Sequence, residues 1–189
     1  MKLEDIATVK VGVNITRLKE EEYRSLDTYS FDDLIEDLNG LFLDSKVRIE
    51  SEKEINESNH LSQTGELIFS FVSSKASIVS EKNAGKLINQ NFAKLIIEHE
   101  HLDHRYLCYI LNESHEIKKQ MAISMQGSTV RKLTPITLKE LKIKLPSIEK
   151  QRIIGKAYLS IKKRHALAKK QAELEEKLYL EILKKLDQS

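Results

Sequence analysis

A chain of 189 residues, 40% hydrophobic and 32% charged with only two prolines, can build one cored domain with an appendage and is short for two full domains. That composition excludes a disordered polymer, no apolar run approaches the roughly 20 residues of a membrane span, and a lone cysteine, Cys108, excludes an internal disulfide and suits a reducing cytoplasm. The net charge of +2 conceals an asymmetry: residues 1–60 carry −7, residues 61–146 carry +4 and residues 147–189 carry +5, which permits a polyanionic partner for the second half.

The opening MKLEDIATVKVGVNI is acidic within its first five residues and lacks an apolar signal core, which argues against export. It predicts a turn of helix and then a strand with Val9, Val11 and Val13 on one face. Residues 18–60 are acidic, with FDDLIEDL as a helical turn and KVRIE as a strand. GELIFSFVSSKASIVS predicts two β segments, 66–71 and 76–80, around a polar corner at 72–75. Asn83-Ala84-Gly85 marks a turn, and KLINQNFAKLIIE a further extended stretch. Next come helices over about 104–111 and 115–125 and a polar loop, QGSTVRKLT. A short helix with Thr137 and Glu140 as its capping box follows, and KIKLP reads as a strand. Strands and helices without regular βα alternation indicate an α+β domain over residues 1–146.

Pro146 closes that domain. Beyond it, Ser147 is a suitable N-cap and Glu149 lies in a first turn where the helix dipole favours a carboxylate. One helix over about 148–187 would be about 60 Å long. Ile154, Tyr158, Ile161, His165, Ala168, Ala172, Glu175, Tyr179, Ile182 and Leu186 follow a 4-3 alternation for more than four heptads, the pattern of a coiled-coil seam. Leu174, Leu178 and Leu183 widen its apolar face. The small and polar seam residues permit close approach and specify register, so a partner helix is expected.

One run invites a different chemistry. His99, His101, Asp103 and His104 spell H-x-H-x-D-H, similar to the dinuclear metal motif of the metallo-β-lactamase superfamily, with ligands that suit zinc. Only His115 and His165 follow as further histidines, and the glycines usual after that motif are replaced by Arg105 and Tyr106. The plainer reading makes Asp103 the N-cap of the next helix, Leu102 and Leu107 a hydrophobic staple, and His99 and His101 alternate residues at a strand end.

Six segments in order, KLEDIATVKVG (2–12), TGELIFSFVSS (64–74), LINQNFAKLII (87–97), LDHRYLCYIL (102–111), QGSTVRKLT (126–134) and LKELKIKLPSIEKQRII (138–154), resemble the specificity (S) subunit of type I restriction-modification systems. The junction LPSIEKQ is the most specific element and the Gly-Ser-Thr loop the next. The resemblance implies a mixed α/β target recognition domain, residues 1–146, followed by a long C-terminal coiled-coil helix, 147–189, for spacing and dimerisation. A complete subunit has two of each, its helices paired antiparallel, so the resemblance makes this chain a half subunit. It implies a cytoplasmic homodimer that reads inverted half-sites of double-stranded DNA. Methyltransferase (modification) subunits would be its partners, docking on the long helix and the region of Gln151. S-adenosylmethionine, ATP and Mg²⁺ would belong to partner subunits and no cofactor to this chain.

Exposed hydrogen-bonding and cationic side chains on loops are the expected reading chemistry, with Asn and Gln suited to adenine. The foremost candidates are Ser73, Ser74 and Lys75 in the corner, and Gln126, Ser128, Thr129, Arg131 and Lys132 in the polar loop. Lys86, Asn89, Gln90 and Asn91 come second. For dimerisation the candidates are Ile154, Tyr158, Ile161, His165, Ala168, Ala172, Tyr179, Ile182 and Leu186. The sequence contains no P-loop, no nucleophile-base pair at a motif spacing and no methyltransferase signature. Two alternatives stay open: a metal-dependent hydrolase using residues 99–104, and a coiled-coil assembly protein that does not bind DNA.

Overall fold

The computed structural model describes residues 1–15, 27–40, 60–97, 100–126 and 132–188. Its centre is a four-stranded antiparallel sheet of β1 (Thr8–Val11), β2 (Leu67–Ser70), β3 (Lys75–Ile78) and β4 (Phe92–Ile96), in the order β1-β4-β2-β3. Alternation along these strands sends side chains to two buried faces. Val9, Leu67, Phe69, Ala76, Ile78, Ala93 and Leu95 join the larger core. Ile68, Val79 and Phe92 join a smaller one with Tyr29, Ile88 and Leu34. Each face is covered, which explains why LIFS is buried at all four positions instead of alternating with solvent.

Helix α1 (Phe31–Leu38) seals the smaller core. Ser30 caps it, accepting from the Asp33 N–H while the Asp33 carboxylate accepts from the Ser30 N–H, a capping box that anchors a short helix in an acidic stretch. The larger core is closed by α2 (His104–Glu113), α3 (His115–Ser124) and the short α4 (Pro135–Lys139). The long α5 covers Ile148–Asp187. Its first turns lie against α2, where Gly155 is essential to the approach: a Cβ there would sit 2.7 Å from both the Arg105 Cβ and the Tyr106 nitrogen. Tyr158 is buried in this contact, edge-on to Tyr109, with its hydroxyl 3.3 Å from Glu113 Oε1.

Several expectations need correction. The short helix is capped by Thr134, whose Oγ1 accepts from the Thr137 N–H, with Pro135 at its first position; proline preset for a helical φ moves the start three residues upstream of the expected box. KIKLP forms no strand, because Lys142 makes a single bridge to Lys2 and the ladder goes no further. The first strand ends at Val11, before Val13. There Gly12 passes so close to the next segment that a Cβ would lie 2.3 Å from the Asn89 carbonyl oxygen, and Val13 bridges to Asn89 in parallel. Ser147 occupies the N-cap of α5 without accepting a side-chain bond. The strand expected at KVRIE lies outside the described residues.

Candidate nucleic-acid interface

At one end of the sheet three segments far apart in sequence are tied together. The β2–β3 turn carries Ser73 and Ser74, and Ser74 takes a positive φ of 53° to make the corner. The segment leading into β4 carries Asn89, Gln90 and Asn91. The Phe71 N–H donates to the Asn91 carbonyl at 2.9 Å, and the Leu133 N–H donates to the Phe71 carbonyl at 3.1 Å. Lys132 adds a third tie, its ammonium donating to Asn91 Oδ1 at 2.7 Å. The corner, the 89–91 segment and the C-terminal end of the polar loop thus form one surface, although nothing in their spacing relates them.

Beside these ties lies a cleft of about 540 Å³, lined by Tyr29, Ser30, Phe31, Ser70, Val72, Ser73, Asn89, Asn91 and Phe92. Phe31 and Val72 expose 48% and 61% of their surface at its rim, so the cleft offers apolar contact beside polar groups. The Ser73 hydroxyl has no hydrogen-bond partner among the described residues although its oxygen is buried. Asn89 Oδ1 accepts from the Asn91 N–H at 2.9 Å. The floor is rigid: the Tyr29 hydroxyl donates to Asp37 at 2.6 Å, and Asp37 also accepts from the Ser80 N–H and from Asn83 Nδ2 at 2.9 Å. Burial together with the Asp37 charge drives the Tyr29 pKa far upward, so the phenol stays a neutral donor.

The other candidates fall elsewhere. Lys86 is engaged inside the chain, pairing with Asp33 at 2.8 Å and donating to Asn83 Oδ1 at 3.0 Å. Lys75, at the start of β3, lies near enough to Glu113 for its charge to contribute to that carboxyl's lowered pKa, where burial opposes the effect and Lys118 and Lys162 outweigh it. Gln90 and Gln126 are exposed. Ser128, Thr129 and Arg131 lie outside the described residues.

The histidine run resolves into a helix start. His99 lies outside the described residues. Asp103 is the N-cap of α2, accepting from the Arg105 and Tyr106 N–H groups, and its second oxygen pairs with the Arg105 guanidinium at 2.6 Å. Burial works against the Asp103 carboxylate, yet these bonds and the Arg105 charge hold its pKa below the ordinary value. Burial pushes His104 the other way from a cation, lowering its pKa. Among the described residues no three His, Cys, Asp or Glu side chains are grouped to hold a metal. Gln151, expected on a docking surface, is instead 1% exposed. It accepts from the Asp103 N–H and donates to the His101 and Pro146 carbonyls at 2.9 Å each, locking the start of α5 to the start of α2.

Of the seam residues, Ile154 and Tyr158 are taken up inside the chain. From Ile161 outward the face is open: Ile161 is 65% exposed, Tyr179 63%, Ile182 45% and Leu186 67%. His165, Ala168 and Ala172 are exposed as well. Sequence reasoning missed Tyr29, Ser30 and Phe31 at the cleft; the S-F-D-D capping pattern was the available signal, and it announces a helix, not a site.

The chain matches the model of a family described as the type I restriction modification DNA specificity domain over residues 1–186. It is similar in fold to the HsdS subunit from Thermoanaerobacter tengcongensis, at a TM-score of 0.53 and 16% identity, over 91% of this chain and 39% of that one. A structure reported as the structural basis underlying complex assembly and conformational transition of the type I R-M system aligns at a TM-score of 0.57 and 18% identity, over 97% and 42% of the respective chains. The chain therefore spans about two fifths of the length of these structures. No curated protein matches it.

Proposed function

This chain belongs to the type I restriction modification DNA specificity domain family, and from that premise we propose that it is a non-catalytic, sequence-specific DNA-reading unit of a modification complex. The observation that carries the proposal is the joining of Ser73, Asn89, Asn91 and Lys132 into one surface through the bonds at Phe71, Leu133 and Lys132. Reading DNA requires several side chains held in one register, and a rigid sheet end stitched by backbone bonds supplies it. Residues 1–146 would form the recognition domain, and 147–189 the spacer and dimerisation helix.

In this reading two chains associate in the cytoplasm through α5 from Ile161 onward, antiparallel, and set two identical readers on inverted half-sites at a spacing fixed by helix length. Leu174, Leu178, Ile182 and Leu183, each at least 45% exposed, support a partner helix, since an apolar stripe of that length is ordinarily covered. Methyltransferase subunits would supply the chemistry and its cofactors. The metal-hydrolase alternative gains nothing from Asp103, whose oxygens are already engaged.

Selection from a pool of randomised duplex DNA tests the proposal. The expected product is an inverted repeat with constant spacing. A pool that never converges would reject the DNA reading and leave an assembly protein, whereas a single half-site without its repeat would reject only the dimeric layout.

A further inference from the structure

We propose that Asn89 and Asn91 are a pair of oriented hydrogen-bond donors that select guanine in the major groove. The proposal rests on the DNA-recognition reading above and gives it a base. A carboxamide can present either its oxygen or its NH₂, and which one faces outward is decided by what holds the other end. The Lys132 ammonium, 2.7 Å from Asn91 Oδ1, can only donate. The Asn91 backbone N–H, 2.9 Å from Asn89 Oδ1, can only donate as well. Both oxygens are therefore the held ends, and both NH₂ groups are the ends left for a ligand in the cleft that the two residues share.

This orientation reverses the expectation that asparagine reads adenine. Adenine offers an acceptor beside a donor, and cytosine offers a donor, so each would confront an amide NH₂ with another donor. Thymine offers one acceptor. Guanine presents two adjacent acceptors, N7 and O6, and is the base that a donor pair fits. Lys132 is then a positioning residue: it fixes the Asn91 amide and leaves a positive charge nearby.

The test uses duplex selection with the full wild-type chain and with N91D and N89D. Each carboxylate keeps the accepting oxygen that faces Lys132 or the Asn91 N–H, so the fold is retained, and each replaces the outward donor by an acceptor. The wild type should enrich a guanine in its half-site, and each variant should lose that guanine, turning toward cytosine, while the other positions stay the same. Replacing that guanine by 7-deazaguanine should weaken wild-type binding roughly 5-fold to 100-fold and leave N91D nearly unaffected. A wild-type site that N91D and N89D both select with unchanged base preference would overturn the proposal and spare the DNA reading. A wild type that selects no sequence would overturn both.

Discussion

At the scale of single residues, side chains that bond to backbone hold this molecule together. Asn112 is the clearest case: its amide accepts from the Ala76 N–H at 2.9 Å and donates to the Ala76 carbonyl at 2.7 Å. Ala76 lies on β3, at the edge of the sheet, so one side chain satisfies both groups that a missing strand would have paired. Asn112→Ala leaves the Ala76 N–H buried and unbonded and its carbonyl with only the weak Cys108 thiol donor at 3.5 Å, at a cost of about 1–3 kcal/mol for the orphaned N–H, readable as a lower urea midpoint. Asp103 does the equivalent for α2. Asp103→Ala removes the cap, for about 0.5–2 kcal/mol, and the Arg105 pair with it; a thermal midpoint equal to wild type would contradict the assignment. The carboxyls of Asp33, Asp103 and Glu113 are all held below their ordinary values. Groups with depressed native pKa contribute stability above the unfolded value, near pH 4, and lose it as pH falls through the native one. Unfolding free energy should therefore decline on acidification below about pH 4, and the decline should be shallower in Asp103→Asn, which has no charge to lose. Cys108, pushed to about 12 by burial, should resist thiol reagents in the native state.

At the scale of elements, α5 has two parts with different roles. Its first turns are core: Gln151, Gly155 and Tyr158 are buried against α2. Gly155→Ala places a methyl within 3 Å of α2 backbone and side-chain atoms, where overpacking costs about 1–3 kcal/mol. Equilibrium denaturation should show that loss. The remainder is an apolar stripe in search of cover. Combining Ile161→Glu with Ile182→Glu should give a monomer by sedimentation velocity, with a melt that no longer depends on protein concentration; an unaltered dimer would remove this face as the contact. The division of α5 was partly legible. The 4-3 alternation announced the helix and its stripe, but which residues of the stripe another chain would cover depended on where α2 lies, and sequence periodicity holds no such information.

At the scale of the whole molecule, the proposed recognition and assembly roles make different demands on the fold. The sheet is buried on both faces and stitched at one end, which makes a rigid platform for loops that must hold register. The helix carries its stripe into solvent. Local physics was readable in advance: LIFS and FAKLI as extended segments, Asp103 as a cap, FDDLIEDL as a helical turn that extends to eight residues, and the 40-residue α5. Nonlocal physics was not. The capping box set at Thr137 yielded to Thr134 because Pro135 decides the helix start. KIKLP had the alternation of a strand, yet it found only Lys2 to bridge. Lys86 looked like a DNA contact until Asp33 claimed it.

The sequence by itself determined most of the element types, the charge division and the family, because propensity, capping and motif order are properties of neighbours along the chain. Only the tertiary structure decided that the corner, the 89–91 segment and Lys132 meet beside one cleft, and that Gln151 faces inward. It also decided the outward end of each asparagine amide. Those outcomes depend on which donors lie across a contact between residues as far apart as Asn91 and Lys132, and a hydrogen bond acquires its direction only when both partners are in place.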